Sequence, residues 1–159
     1  VEPLYKAIMT LKESDPAAKV VLMCPDGVLY KQKMAVSLAT QTHLIFVCGH
    51  YEGFDERIRT LVDYEISIGD YVLTGGELPA MVVSDSIIRL LDGVITKTSL
   101  DSESFTDNLL DYPTYTKPQE FMGMKVPDVL LSGDHQKIKK WRDEMRVSRT
   151  KERRPDLFN

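Results

Sequence analysis

The chain has 159 residues, enough for one ordinary domain or for a compact domain with a small appendage. Its 43% hydrophobic and 28% charged residues suit a soluble globular protein with a core to bury, and its net charge of −4 argues against a protein that coats nucleic acid. No apolar run approaches the roughly 18 to 20 residues of a membrane span and no secretory core opens the chain, so the expected compartment is the cytoplasm, with no membrane partner.

In chain order, Glu2 to Lys12 has Leu4, Ile8 and Leu11 near helical spacing, with Pro3 in the first turn, and ends in the break Glu13-Ser14-Asp15-Pro16. Lys19 to Cys24 is a continuous β-branched and apolar run, the mark of a strand covered on both faces, and is expected to stop at the turn tripeptide Pro25-Asp26-Gly27. Lys31 to Thr40 reads as a helix. His43 to Cys48 reads as a second buried strand, ending at Gly49-His50-Tyr51-Glu52-Gly53. Phe54 to Leu61 reads as a short amphipathic helix and Asp63 to Ile68 as a third, more polar strand. Glu77 to Leu91 is the longest predicted helix, apolar on most of its circumference and so expected to be largely buried.

A strand, a turn and a helix thus recur three times, which predicts an α/β fold with a parallel sheet covered by helices. Each strand runs into a glycine-bearing loop: Gly27, then Gly49 and Gly53, then Gly69, Gly75 and Gly76. Open α/β sheets bind ligands at the carboxyl ends of their strands, so three such loops at one edge predict a single cleft. Neither G-x-G-x-x-G nor G-x-x-x-x-G-K-[ST] is present, which argues against a dinucleotide or a nucleoside triphosphate. Cys24 and Cys48 lack metal spacing and end apolar runs, as buried inert thiols do; His43, His50 and His135 are scattered, and no metal site is expected. A cleft of backbone donors and acceptors beside Tyr51, Glu52, Asp70 and Tyr71 suits a neutral or cationic heterocycle.

Gly93 to Phe105 is polar and nearly free of apolar periodicity, as an interdomain linker is. A proline-punctuated stretch follows, then a strand-like Val126 to Leu131, then a basic helix from about Asp134 to Val147. From Gly133 to Asn159 nine Lys or Arg face five Asp or Glu, a balance of +4 that leaves −8 for the remainder. A basic tail on an acidic body predicts an anionic partner for the tail.

Two long motifs then carry a resemblance. Cys48-Gly49-His50-Tyr51-Glu52-Gly53-Phe54-Asp55-Glu56-Arg57, followed by Ser67 to Ala80 (SIGDYVLTGGELPA), closely resembles the bacterial tRNA (guanine-37-N1)-methyltransferases of the TrmD type. The likeness continues through Asp85-Ser86, Arg89, Asp107 to Pro118, Val126 to Gly133, Lys140-Trp141-Arg142 and Arg149 to Leu157. It implies a SPOUT-class enzyme: residues 1–95 as a cofactor-binding domain with a trefoil knot, 96–105 as the linker, and 106–159 as a small, mainly helical, tRNA-binding domain. It also implies a homodimer with its active site between subunits, and family sequence ahead of Val1 and beyond Asn159.

Position by position, the resemblance implies an S-adenosylmethionine pocket of Pro25, Gly49, Tyr51, Glu52, Gly53, Ile68, Gly69, Asp70, Tyr71, Val72, Leu73, Gly75 and Gly76. Arg89 matches the arginine that stabilises the guanine oxygen. The family's base is a linker aspartate; the matching residue here is Glu103, in a linker one residue shorter, with Asp101 as the rival. Arg149, Arg153 and Arg154, with Lys139 and Lys140, are the expected tRNA contacts on a phosphate-facing surface that also takes in Lys137, Arg142, Arg146 and Lys151. Mg²⁺ stands beside S-adenosylmethionine as an optional cofactor. Two alternatives stand beside methyl transfer to guanine N1: a nonenzymatic cofactor- or RNA-binding module on the same fold, which Glu103 keeps open, and a ribose 2′-O methyltransferase of the same class.

Overall fold

The computed structural model describes residues 1–96, 100 and 103–158, so Asp101 lies outside the described residues. The chain forms two compact units, Val1–Ile95 and Thr96–Asn159.

The first unit is built on β1 (Lys19–Leu29), flanked by β2 (Leu44–Cys48) and β3 (Tyr64–Ser67) in a parallel sheet of order β2-β1-β3. Alternation along β1 sends Val20 and Leu22 to one face and Val21 and Met23 to the other, and all four are buried. On the first face they meet Ile8 of α1 (Glu2–Ser14), Ile45 and Val47 of β2, and Ile58 of a 3-10 turn (Glu56–Leu61). On the second they meet Leu38 of α2 (Gln32–Leu38) and Ala80, Val83 and Ile87 of α3 (Glu77–Ile88). With helices on both faces, the uninterrupted apolar run Val20 to Met23 of β1 is buried, as its sequence suggests. Among the described residues no helix is long and apolar enough to cross a membrane.

The strand expected to stop at Pro25 continues to Leu29. Met23 and Val28 both align with Ile66, so residues 24–27 leave the ladder as an excursion and β1 then resumes pairing. Turn-forming residues bend the chain here without ending the strand, because β3 continues alongside to receive Val28 and Leu29. At Gly27 the two backbones nearly touch: a Cβ would lie 2.5 Å from the Ile66 nitrogen and 2.6 Å from the Glu65 carbonyl carbon.

At the other end of the sheet Asp63 joins three elements. Its carboxylate accepts from the Val20 amide at 2.8 Å and from Lys19 at 3.2 Å, with Lys12 of α1 at 3.5 Å. Burial pushes this carboxyl up, but the Val20 amide and the two ammonium groups outweigh it and hold it below the usual aspartate range.

In the second unit, α4 (Asp128–Leu131) occupies most of the stretch that reads as a strand, since Pro127 opens a helical turn and Asp128 suits its positive end. Before it lies a two-stranded hairpin, β4 (Glu120–Phe121) and β5 (Met124–Lys125), turning at Met122 and Gly123, which both have positive φ. The basic helix, α5 (His135–Arg153), is longer than its apolar anchors predict. Asp134 caps it, accepting from the amides of Gln136 and Lys137, each at 3.1 Å.

The segment from Phe105 to Tyr115 runs back along α5. Arg154, just past the helix end, lies over the Phe105 ring, and Arg146 forms two bonds to Asp107 at 2.9 and 2.6 Å. The Leu110 amide donates to Thr150 Oγ1 at 2.9 Å, Arg142 lies over Tyr112, and Trp141 meets Tyr115. The segment begins against the carboxyl end of the helix, at Arg154, and finishes against Arg142 and Trp141, one to two turns short of its middle contacts at Arg146 and Thr150.

Replacing Gly27 with alanine should destabilise the first unit by about 1–3 kcal/mol, because the clash is with backbone that cannot rotate away; chemical denaturation reads this as a lower midpoint. Asp63→Asn should remove about 1–2 kcal/mol near neutral pH. Because the native carboxyl is held low, that difference should persist above the unfolded value of about 3.9 and vanish as the pH falls through the native value, as paired denaturation curves would show.

Candidate active site: a cleft at the strand ends

The excursion within β1 and the loops that follow β2 and β3 enclose a cleft of about 420 Å³. Twelve of the thirteen positions that the motifs mark as a cofactor pocket line it: Pro25, Gly49, Tyr51, Glu52, Gly53, Ile68, Gly69, Tyr71, Val72, Leu73, Gly75 and Gly76. Asp70 does not; it is exposed outside the lining. Arg89 caps the carboxyl end of α3 and is half-buried. Glu103 is half-buried in the second unit, as is its neighbour Ser104, which accepts from the Asp111 amide at 2.9 Å.

Two of the loops are stitched together. The Gly76 amide donates to the Gly49 carbonyl at 2.8 Å, and His50 pairs with Gly75 in an isolated antiparallel bridge. Gly76 is buried so close to the neighbouring loop that a Cβ would meet the Cys48 Cα at 2.8 Å and the Gly49 nitrogen at 2.9 Å. His50 Nε2 then meets Glu77 Oε1 at 2.6 Å, closing the seam with side chains. The pair sits directly beside the glycines in both motifs, and adjacency to a loop contact was the signal available for it.

Tyr51 stands at the cleft with its side chain wholly exposed and with φ of 60°. Its ring lies 5.9 Å from that of His50, tilted by 51°, and backbone strain of this kind gathers at ligand sites. Across the cleft the Ser67 hydroxyl donates to the Gly69 carbonyl at 3.2 Å and the Tyr71 amide donates to the same carbonyl at 3.0 Å, which curls the third loop over.

The cleft is apolar within, through Leu22, Ile66, Ile68 and Pro79, and acidic at its edge. The carboxylates of Asp26, Glu52, Asp55 and Glu56 line it against one guanidinium, that of Arg59. Asp55 is engaged by Arg57, whose side-chain and backbone hydrogen bonds hold its carboxyl well below the carboxylate range. Glu52 makes no hydrogen bond or ion pair among the described residues. An apolar interior with a negative edge fits a flat heterocycle that carries positive charge. Cys24 also lines the cleft, but burial and then the adjoining Asp26 push its thiol up to about 11, and burial raises Cys48 as well, so neither is a thiolate nucleophile near neutral pH. Among the described residues no group of acids, histidines and cysteines could hold a metal ion.

The basic helix departs from the expected phosphate-facing surface at one place. Arg146 is buried, and its guanidinium is spent on Asp107. Helical spacing puts Arg142, Arg146, Arg149 and Arg153 on one stripe, and the first two of these face the 105–112 segment. Lys139, Lys140, Arg153 and Arg154 are exposed, and Arg149 is half-buried. Lys140 approaches Glu144 at 3.9 Å and Arg154 pairs with Asp156 at 2.6 Å.

Curated proteins named tRNA (guanine-N(1)-)-methyltransferase from Malacoplasma penetrans, Geobacillus kaustophilus and Listeria monocytogenes are 57%, 53% and 55% identical to the chain. Each alignment covers 99% of this chain but only 69%, 66% and 66% of the relative, so the chain spans about two thirds of their length. A family model described as tRNA (Guanine-1)-methyltransferase TrmD matches residues 1–159. With a match over its whole length and these identities, the chain belongs to the TrmD family of tRNA (guanine-1)-methyltransferases.

Proposed function

We propose that the protein transfers a methyl group from S-adenosylmethionine to N1 of guanine 37 in tRNA, beside the anticodon. The observation that carries this reading is the cleft, where the β1 excursion and the loops after β2 and β3 bring twelve marked positions around one space with an acidic edge. The relatives' names supply the reaction. The apolar walls and the glycine seam fit an adenosine moiety, and the excess carboxylate at the edge fits a sulfonium.

When bound, S-adenosylmethionine supplies an electrophilic methyl group on a cationic sulfur. The chain's own residues then have two tasks. Guanine N1 carries a proton at neutral pH, so a carboxylate must accept it as the new N–C bond forms; Glu103 takes that role and Asp101 is its rival. Negative charge grows on O6 as the proton leaves, and the Arg89 guanidinium donates hydrogen bonds to it. Glutamate is a competent base, but its longer side chain demands a different placement, and an error near 1 Å costs about 100-fold.

The finer features of the family belong to the same proposal. The close passages at Gly27 and Gly76 support a knotted SPOUT topology. The outer side of α3 exposes Leu78, Met81, Val82 and Ile88, while its other side packs into the core; a helix apolar all round is one that expects a second cover. That supports a homodimer whose active sites lie between subunits. The second unit, with its basic helix, holds the tRNA, and the reaction takes place in the cytoplasm.

A transcript with guanine at position 37 should accept methyl from labelled S-adenosylmethionine, and one with adenine there should not. Nuclease digestion should yield 1-methylguanosine; a ribose-methylated product, or equal labelling of both transcripts, overturns the reading. Glu103→Gln should lower kcat at least 100-fold with binding of S-adenosylmethionine retained, and an unchanged kcat would move the base to Asp101. Met81→Glu should convert a dimer to a monomer in light scattering and abolish methylation with it.

A further inference from the structure

The excursion of β1 at residues 24–27 carries Pro25 and Asp26 to the edge of the cleft, outside the hydrogen-bonded ladder. A segment that leaves a sheet loses the bonds that would hold it in place, so something else must set its position. Arg59, on the 3-10 turn, is the side chain that reaches it. Its Nη2 donates to Asp26 Oδ2 at 2.7 Å, its Nε donates to Glu56 Oε2 at 3.0 Å, and its Nη1 donates to Glu65 Oε2. One guanidinium therefore ties the excursion to the 3-10 turn and to β3, the strand that the excursion passes at Gly27. Only 27% of the Arg59 side chain is exposed, and a planar fork with several fixed donors serves three carboxylates in a way that an ammonium does not.

We propose that Arg59 is a positioning residue for the donor pocket, holding the Pro25–Asp26 wall against β3 through its three carboxylates. The inference rests on the reading of the cleft as the S-adenosylmethionine site and adds a residue that makes no contact with the reacting atoms. Asp26 acts in the same way, as the handle by which Arg59 grips the wall. Replacing either end of the link lets the excursion move, and the pocket loses the donor without losing the reaction.

The test uses the full-length protein with three variants, Arg59→Lys, Asp26→Asn and the double variant, measuring KM for S-adenosylmethionine, KM for tRNA, kcat and the melting temperature. Asp26 is 63% exposed, so its amide variant folds even if loss of Arg59 proves disruptive. Each single variant should raise the donor KM about tenfold while the tRNA KM and kcat move less than about threefold, as expected when placement of a binding wall is lost. The double variant should be no worse than the worse single one, because both break one link. Unchanged donor KM in the single variants, a parallel fall of all constants with the melting temperature, or multiplicative effects in the double variant would overturn the role. Lack of donor binding by the unsubstituted protein would instead overturn the functional reading itself.

Discussion

The first unit depends on two places where backbones pass so closely that only hydrogen fits between them. At Gly27 the bent central strand leans on β3, and at Gly76 the loop after β3 leans on the loop after β2. With a side chain at either position the strands or loops would separate by the width of a methyl group. The cleft is what these contacts leave open: its walls are the segments that bend away from them, and its edge is where their polar residues gather. The parallel sheet supplies a rigid floor beneath, since β1 is packed on both faces.

The electrostatics follow the same division. Acidic groups collect around the cleft, where Arg59 and Arg57 hold some of them in place and Glu52 is left to face an incoming charge. Basic groups collect on α5, in the other unit. A small negative total charge thus conceals two surfaces of opposite sign.

The alternation of apolar strands and glycine loops made the sheet and the convergence of its loops legible in the sequence, because both follow from local patterns. Three features were not. Pro25-Asp26-Gly27 is a turn signal, yet β1 resumes, since pairing with β3 overrides the local preference. Val126 to Leu131 is too short for its apolar pattern to separate strand from helix, and Pro127 with Asp128 decided for helix. Arg146 reads as one more surface cation, and only the distant Asp107 reveals that it is internal. The partnership of Arg59 with Asp26 was equally hidden, because a salt bridge between remote residues leaves no periodicity to read.

The antiparallel run of contacts between the 105–115 segment and α5 has a thermodynamic meaning. Among the described residues of the second unit, the two that are buried are Arg146 and Thr150, and both are polar. Cohesion of this kind comes from directed bonds more than from apolar area removed from water, so unfolding exposes little new hydrocarbon. The second unit should therefore melt with a small heat-capacity change and open more readily than the sheet does, exchanging its amide hydrogens sooner. Such a unit is easily reshaped by whatever binds it.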